Sequence, residues 1–284
     1  MNKMNVRPAS DLGALTGPVL IFGGPYSNLA ATRAMRVRAE GLGISPERII
    51  CTGDVVAYCA EPIETIALIR DWGIAVVQGN CEESLGLEAQ DCGCGFEEGT
   101  TCSLLSVDWY RFANQRISEV DRAWMMDLPE SIRFTLNGKS IRVVHGGVAQ
   151  INRFIFPSTA TDIKQEELDL AGTDILVGGH SGIPSGVRIG ERAWLNTGAI
   201  GLPANDGTPD GWYLLLSPER DCLVCRWQRL NYPVEETVTA MRDAGLLSGY
   251  MDTLETGLWP SMDILPEAER NVRGQPIVLD DLIV

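Results

Sequence analysis

Four positions along the 284-residue chain carry side chains suited to holding a divalent cation: Asp54, Asn80, His145 and His180. A carboxylate, an amide oxygen and two imidazoles are donors that first-row transition metals accept. Each stands beside glycine at the end of a short apolar run: Ile49-Ile50-Cys51-Thr52-Gly53-Asp54, Ile74-Ala75-Val76-Val77-Gln78-Gly79-Asn80, Ile141-Arg142-Val143-Val144-His145-Gly146 and Ile175-Leu176-Val177-Gly178-Gly179-His180. In an α/β sheet the carboxyl ends of the strands are where the chain presents its chemistry. The chain has only two histidines, and both stand at such an end. Structural roles compete with this reading, because an aspartate after a strand commonly serves a turn and a histidine can be a satisfied core residue. The coincidence of all four ends favours a metal.

The elements that must position these residues follow from periodicity. Residues 18–22 read as a first strand closed by Gly23-Gly24-Pro25, and 28–41 as a helix with an apolar stripe. A second strand over 49–52, a helix from Pro62 to Trp72 and a third strand over 74–78 complete a βαβαβ run, which predicts parallel strands and right-handed crossovers. Beyond it, 91–102 is Gly-rich and acidic and reads as a surface loop; 109–112 and 121–126 read as helical. Asn137-Gly138 turns a hairpin between 132–136 and 140–144. Strands are expected at 174–177 and 193–195, an antiparallel pair at 212–216 and 222–230, and a helix over 234–244. These divide the chain into a loose leader (1–17), one domain (18–245) and an extended or lid-like tail (246–284) packing on the domain or on a partner.

Composition narrows the function. A formal charge of −15 argues against a nucleic-acid polymer as partner, and it means that any phosphate site needs a local positive source such as a metal. No secretory signal and no run of roughly 20 apolar residues is present, so a soluble cytoplasmic protein without a membrane role is expected. The eight cysteines then read as free thiols or metal ligands before disulfides. Cys92-x-Cys94 with Cys102 lacks a fourth zinc ligand at a standard spacing, which leaves zinc, redox pairing and plain exposed thiols open. Cys222 and Cys225 fall on opposite faces of a strand and read as core. Gly23-Gly24 lacks the full G-x-G-x-x-G spacing of a dinucleotide site.

The ordered motifs resemble those of the calcineurin-like metallophosphoesterases, especially the compact bacterial phosphodiesterase and bis-nucleoside polyphosphatase-like group, from Pro18 to Ala244. Gly53-Asp54 matches the family's Gly-Asp, Gly79-Asn80-Cys81-Glu82 its Gly-Asn-His-Asp/Glu, His145-Gly146 its His-Gly, and Gly179-His180-Ser181-Gly182 its Gly-His-x-His. Asn196-Thr197-Gly198-Ala199 is similar to a further Asn-Pro-Gly-Ser segment, and with Gly146-Gly147 is expected to shape the pocket through its backbone. The resemblance implies a four-layer α/β/β/α sandwich and hydrolysis of phosphate mono- or diesters or nucleotide-type substrates. It also marks departures. The opening Asp-x-His is replaced by Gly24-Pro25-Tyr26, the second histidine of Gly-His-x-His by Gly182, and the histidine of the asparagine motif by Cys81.

In the family pattern one metal site draws on the lost residues, whereas the other uses those matched by Asp54, Asn80, His145 and His180 and is complete here. This implies one divalent transition metal (manganese, iron or zinc), slow or altered turnover, and a small phosphorylated substrate or ligand. The alternative is an inactive relative that binds a phosphorylated ligand or a protein partner; a second copy of the chain is also admissible. Cys81 is either a small buried hydrophobe or a metal-activated thiolate, and Tyr26 either a phosphate-binding phenol or a filler of vacated space. With Asp54, these are the expected catalytic residues.

Overall fold

Every residue of the strand β2 (Val19–Phe22) is buried, so this strand has a packed layer on both faces. Its side chains alternate between them. Val19 and Ile21 enter one core with Ile50, Val77, Ile141, Val143, Ile175 and Val177. Leu20 and Phe22 enter another with Ile49, Met35, Ile66 and Ile69. The first core lies between two sheets and the second between a sheet and its helices.

The computed structural model describes residues 9–95, 97 and 99–284. One mixed sheet has the spatial order β1 (Ser10–Leu15), β5 (Ser131–Leu136), β6 (Lys139–Val144), β7 (Ile175–Gly178), β9 (Arg192–Asn196) and β8 (Ser185–Ile189). The other has the order β12 (Leu282–Ile283), β11 (Cys222–Leu230), β10 (Gly211–Glu219), β2, β3 (Ile49–Cys51) and β4 (Ala75–Val76). On the outer face of the second sheet lie α1 (Leu29–Gly41), α2 (Pro62–Trp72), α3 (Asn80–Gly86), α4 (Thr101–Asn114), α5 (Glu119–Asp127), α7 (Val234–Asp243) and α8 (Gly249–Thr256). The helix α6 (Thr161–Ala171) covers the first sheet, with Leu168 and Ala171 against Val144, Leu176 and Trp194. A short α9 (Glu267–Asn271) follows in the tail. Helix, sheet, sheet, helix is the layering that the motif resemblance implies.

Parallel register aligns the strand ends that matter. Cys51 pairs with both Phe22 and Val76, and Val143 pairs with Val177. Asp54 and Asn80 thus leave one sheet, and His145 and His180 the other, at the same edge. The expected βαβαβ run is present as β2-α1-β3-α2-β4, with both pairings parallel.

Several elements differ from expectation. Residues 10–15, placed in a loose leader, form β1 and pair in parallel with β5. Residues 161–171 and 185–189, assigned no element, form α6 and β8. Residues 101–102, assigned to a surface loop, begin α4, and both Cys92 and Cys94 are buried instead of lying at the surface. The tail contains α8, α9 and β12 and packs over the site edge of the domain. Among the described residues no helix is long and apolar enough to cross a membrane.

Asn28 fastens α1 to the C-terminal half of the domain. Its Oδ1 accepts from Ala31 N (2.9 Å) and Thr237 Oγ1 (2.7 Å), and its Nδ2 donates to Gly201 O (3.0 Å) and Tyr232 Oη (3.2 Å). Asn28→Ala removes the helix cap and strands buried partners, so a loss of about 2–4 kcal/mol is expected. Urea unfolding measures it, and an unchanged midpoint would refute the assignment.

Candidate metal centre

The chain leaves β3 through a turn that ordinary residues resist. Gly53 has φ +97° and Asp54 itself φ +54°. The left-handed region costs a non-glycine residue about 1–2 kcal/mol. A Cβ on Gly53 would lie 2.6 Å from Gly79 N, so only glycine lets the two loops approach. What holds them together is Glu82, in the first turn of α3. Its Oε2 accepts from Asp54 N (2.7 Å) and Gly79 N (2.9 Å), and its Oε1 from Val55 N (2.8 Å) and Val56 N (3.4 Å). Burial, and then the neighbouring Asp54 carboxylate, raise the Glu82 carboxyl to about 7.

Each of the four predicted ligands is then aimed by a separate contact. Asp54 Oδ1 accepts from Cys81 N (3.1 Å), leaving Oδ2 at 3.3 Å from His145 Nε2. Asn80 Nδ2 donates to Cys92 O (2.9 Å), which turns Oδ1 toward the same nitrogen at 3.0 Å. His145 Nδ1 lies 2.7 Å from Thr52 O; a carbonyl only accepts, so Nδ1 carries the hydrogen and Nε2 faces the centre. His180 Nδ1 completes the group at 2.9 Å from His145 Nε2, and its backbone N donates to His145 O (2.9 Å). Gly179 allows this approach, because a Cβ there would sit 2.0 Å from Thr52 Oγ1.

The donor set fits a divalent metal. The ligand atoms of Asp54, His145 and His180 lie within 4.8 Å of one another, all from buried residues, and Asn80 Oδ1 joins them. Electron-rich atoms aimed at one buried point are stable there only with positive charge between them. Burial, the largest single influence, opposes ionisation of Asp54, but the charge and hydrogen bond of His145, the charge of His180 and the Cys81 N–H together lower the carboxyl below its usual range. Burial, the largest single influence, lowers His145, but the charge and hydrogen bond of Asp54, the Thr52 carbonyl and the charge of Glu82 together raise the imidazole. Burial followed by the charge on His145 pushes His180 down to about 3, so that ring is neutral.

The profile of the calcineurin-like phosphoesterase superfamily domain matches residues 27–221, more than half of the chain. The chain belongs to this family. Solved structures share its fold. A metallophosphoesterase from Sphaerobacter thermophilus superposes with a TM-score of 0.67 at 20% identity, covering 86% of this chain and 100% of the other. The hypothetical protein PH1004 from Pyrococcus horikoshii gives 0.73 at 16% identity with the same coverage. At these identities the likeness is one of fold. By sequence, the uncharacterised protein MJ0912 of Methanocaldococcus jannaschii is 28% identical over 162 residues, and the chain spans 60% of that relative's length and 56% of its own.

Two of the positions that depart from the family's motifs, Tyr26 and Gly182, line one small cavity. It has a volume of about 60 Å³ and is lined by Tyr26, Asp54, His180 and Gly182 from the domain and by Tyr250, Trp259 and Ser261 from the tail. The Tyr26 ring lies over Gly24, where a Cβ would come within 2.4 Å of Cε2, and its hydroxyl is 3.9 Å from the Cβ position of Gly182. Tyr26 thus fills the space between two motif positions that lack their usual side chains. Trp259 anchors the roof, donating from Nε1 to Pro203 O (2.7 Å) and from its backbone N to Asn205 Oδ1 (2.8 Å). Cys81 is fully buried beside Asn80, with burial first and Asp54 second pushing its thiol well up, so a neutral thiol is favoured. Asn196 Oδ1 accepts from Gly198 N (2.9 Å), shaping the turn that brings Ala199 to the cavity wall.

Glu82 was quoted in the motif but given no role. An acidic residue three places after glycine at a helix start looks like ordinary capping, and its reach across to the Asp54 loop has no local signal. Glu82→Gln puts an amide N–H where a backbone N–H must donate. The expected outcome is a stability loss of about 2–3 kcal/mol together with loss of bound metal. Thermal unfolding and elemental analysis of the same sample test this, and native metal content would sink it.

Proposed function

We propose that this chain is a metal-dependent phosphoesterase that works with one divalent transition metal (manganese, iron or zinc) on a small phosphorylated substrate, a mono- or diester or a nucleotide-type ester. The observation that carries the reading is the convergence of Asp54 Oδ2, Asn80 Oδ1 and His180 Nδ1 within 3.3 Å of His145 Nε2. A divalent ion held there supplies a Lewis acid for a phosphoryl oxygen and acidifies water. Asp54 offsets the ion's charge, while Thr52 O and Cys92 O keep His145 and Asn80 facing it. Tyr26 stands at the cavity wall as a neutral phenol, since burial and then Asp54 push its pKa well up. It can donate to a phosphate oxygen and, by occupying space beside Gly24 and Gly182, favours one metal over two. Forgoing the second ion costs on the order of 10²-fold or more in rate, so slow turnover accompanies this reading.

A second reading rests on the roof. A cavity of about 60 Å³ beneath Trp259 and Tyr250 suits a small bound anion better than a large ester, as in a binding protein that has kept the fold.

Elemental analysis of protein purified without chelator or affinity tag is expected to give close to one transition metal per chain, lost in His180→Ala. Hydrolysis of p-nitrophenyl phosphate, its bis ester and a dinucleoside polyphosphate should then be tested against Asp54→Ala, with at least a ~10²-fold loss expected. Metal without turnover on any of them selects the binding reading. No metal, even after manganese, iron or zinc is added, overturns the metal centre.

A further inference from the structure

The turn at residues 91–95 carries a feature that the phosphoesterase reading does not use. Cys92 and Cys94 are bonded to each other across one residue, with Cα atoms 5.3 Å apart, and each is 3% exposed. Gly93 between them has φ +64°, and a Cβ there would meet Ser84 Oγ at 2.5 Å, so the turn is pressed against α3. Asp91 Oδ1 accepts from Gly93 N (2.8 Å), and Asn152 Nδ2 donates to Gly93 O (2.8 Å). The turn is therefore pinned at its middle, and its two ends carry the sulfurs.

Asn80 leans on this bridge. Its Nδ2 donates to Cys92 O (2.9 Å) and lies 3.4 Å from Cys94 Sγ and 3.5 Å from Cys81 Sγ. Those contacts decide which way the amide faces, and hence that Oδ1 points at His145. The two cysteines also border different cavities. Cys94 lines the cavity with Asp54 and His180, whereas Cys92 lines an outer groove with Asp91, Tyr110 and Arg111.

We propose that the Cys92–Cys94 bridge is a redox switch on the metal centre: closed, it holds the Asn80 amide in its ligating orientation, and opened by a dithiol reductant it releases that amide and weakens metal binding. This rests on the metal-centre reading. A thiolate of the reductant, entering from the groove, attacks Cys92 Sγ, and Cys94 Sγ departs and takes a proton. The reductant's second thiolate then displaces Cys92, which is protonated in turn. In all, two electrons and two protons pass to the protein, which gains two thiols while the dithiol becomes a disulfide. Two thiols cannot stay at bonding separation, so the sulfurs part. Cys92 O and Cys94 Sγ are the groups on which Asn80 rests. Losing a partner that orients a metal ligand typically lowers affinity ~10–100-fold.

The test is manganese binding to the full chain, read from the electron spin resonance of free Mn²⁺, in oxidised protein and after reduction by a phosphine. Thiol titration of the unfolded chain runs alongside it. The proposal expects six thiols in the oxidised form and eight in the reduced form, with manganese affinity at least ~10-fold weaker when reduced and restored on reoxidation. The double variant Cys92→Ser/Cys94→Ser should bind weakly whatever the reductant, while Cys222→Ser should keep the redox response. Equal affinity in two forms that differ by two thiols overturns the switch and leaves the metal centre standing. Eight thiols in protein never exposed to reductant also overturn it. Absence of manganese binding in both forms removes the metal centre and the switch together.

Discussion

The Glu82 carboxylate accepts hydrogen bonds from the backbone of Asp54, Val55, Val56 and Gly79, and so fixes two loops that leave neighbouring strands. Hydrogen bonds to an ionised acceptor are among the stronger ones a fold can make, and here they offset the left-handed backbone of Asp54. The clamp carries its own cost, because a buried carboxylate beside another is held against desolvation and repulsion. The same carboxylate sets where Cys81 N can reach Asp54 Oδ1, and through that contact which oxygen remains for the centre. The orientation of Asp54 therefore depends on a side chain that does not itself face the centre.

The four candidate ligands come two from each sheet. Asp54 and Asn80 follow β3 and β4, whereas His145 and His180 follow β6 and β7. The centre thus lies across the seam between the two sheets, and the hydrogen bond from His145 Nδ1 to Thr52 O crosses that seam. Beneath it the shared core of Val19, Ile21, Ile50, Val77, Val143 and Val177 fixes the spacing of the sheets. Close packing transmits small volume changes, so a substitution in this core would be felt at the centre as a change in the distance between the pairs of ligands.

Much of this was legible because the informative residues sit at strand ends. A β-branched run stopping at Gly-Asp, Gly-Asn or Gly-Gly-His declares both a parallel strand and what stands at its end. The helix α1 was legible from its apolar stripe and α2 from its proline start. By contrast α6 reads Thr-Asp-Ile-Lys-Gln-Glu-Glu-Leu-Asp-Leu-Ala, with too few apolar residues to show a stripe. The strand β8 is short and begins Ser-Gly, and β1 carries a glycine and little hydrophobic content. These elements are held by their neighbours, and local preference does not announce them. The burial of Cys92 and Cys94 was hidden for a related reason: the acidic, Gly-rich composition around them signals surface, while the turn itself folds inward against α3.

The roof formed by Tyr250, Trp259 and Ser261 has a consequence for time as well as for space. Because the tail supplies part of the cavity wall, local opening of the tail would speed exchange of an occupant, so its residence would depend on the tail as well as on its equilibrium constant. A chelator in solution would then strip a bound ion faster from a chain whose tail is loosened. Trp259, joined to Pro203 and Asn205 by two hydrogen bonds, would in this sense be a kinetic element, since it holds down the part of the wall that the tail supplies.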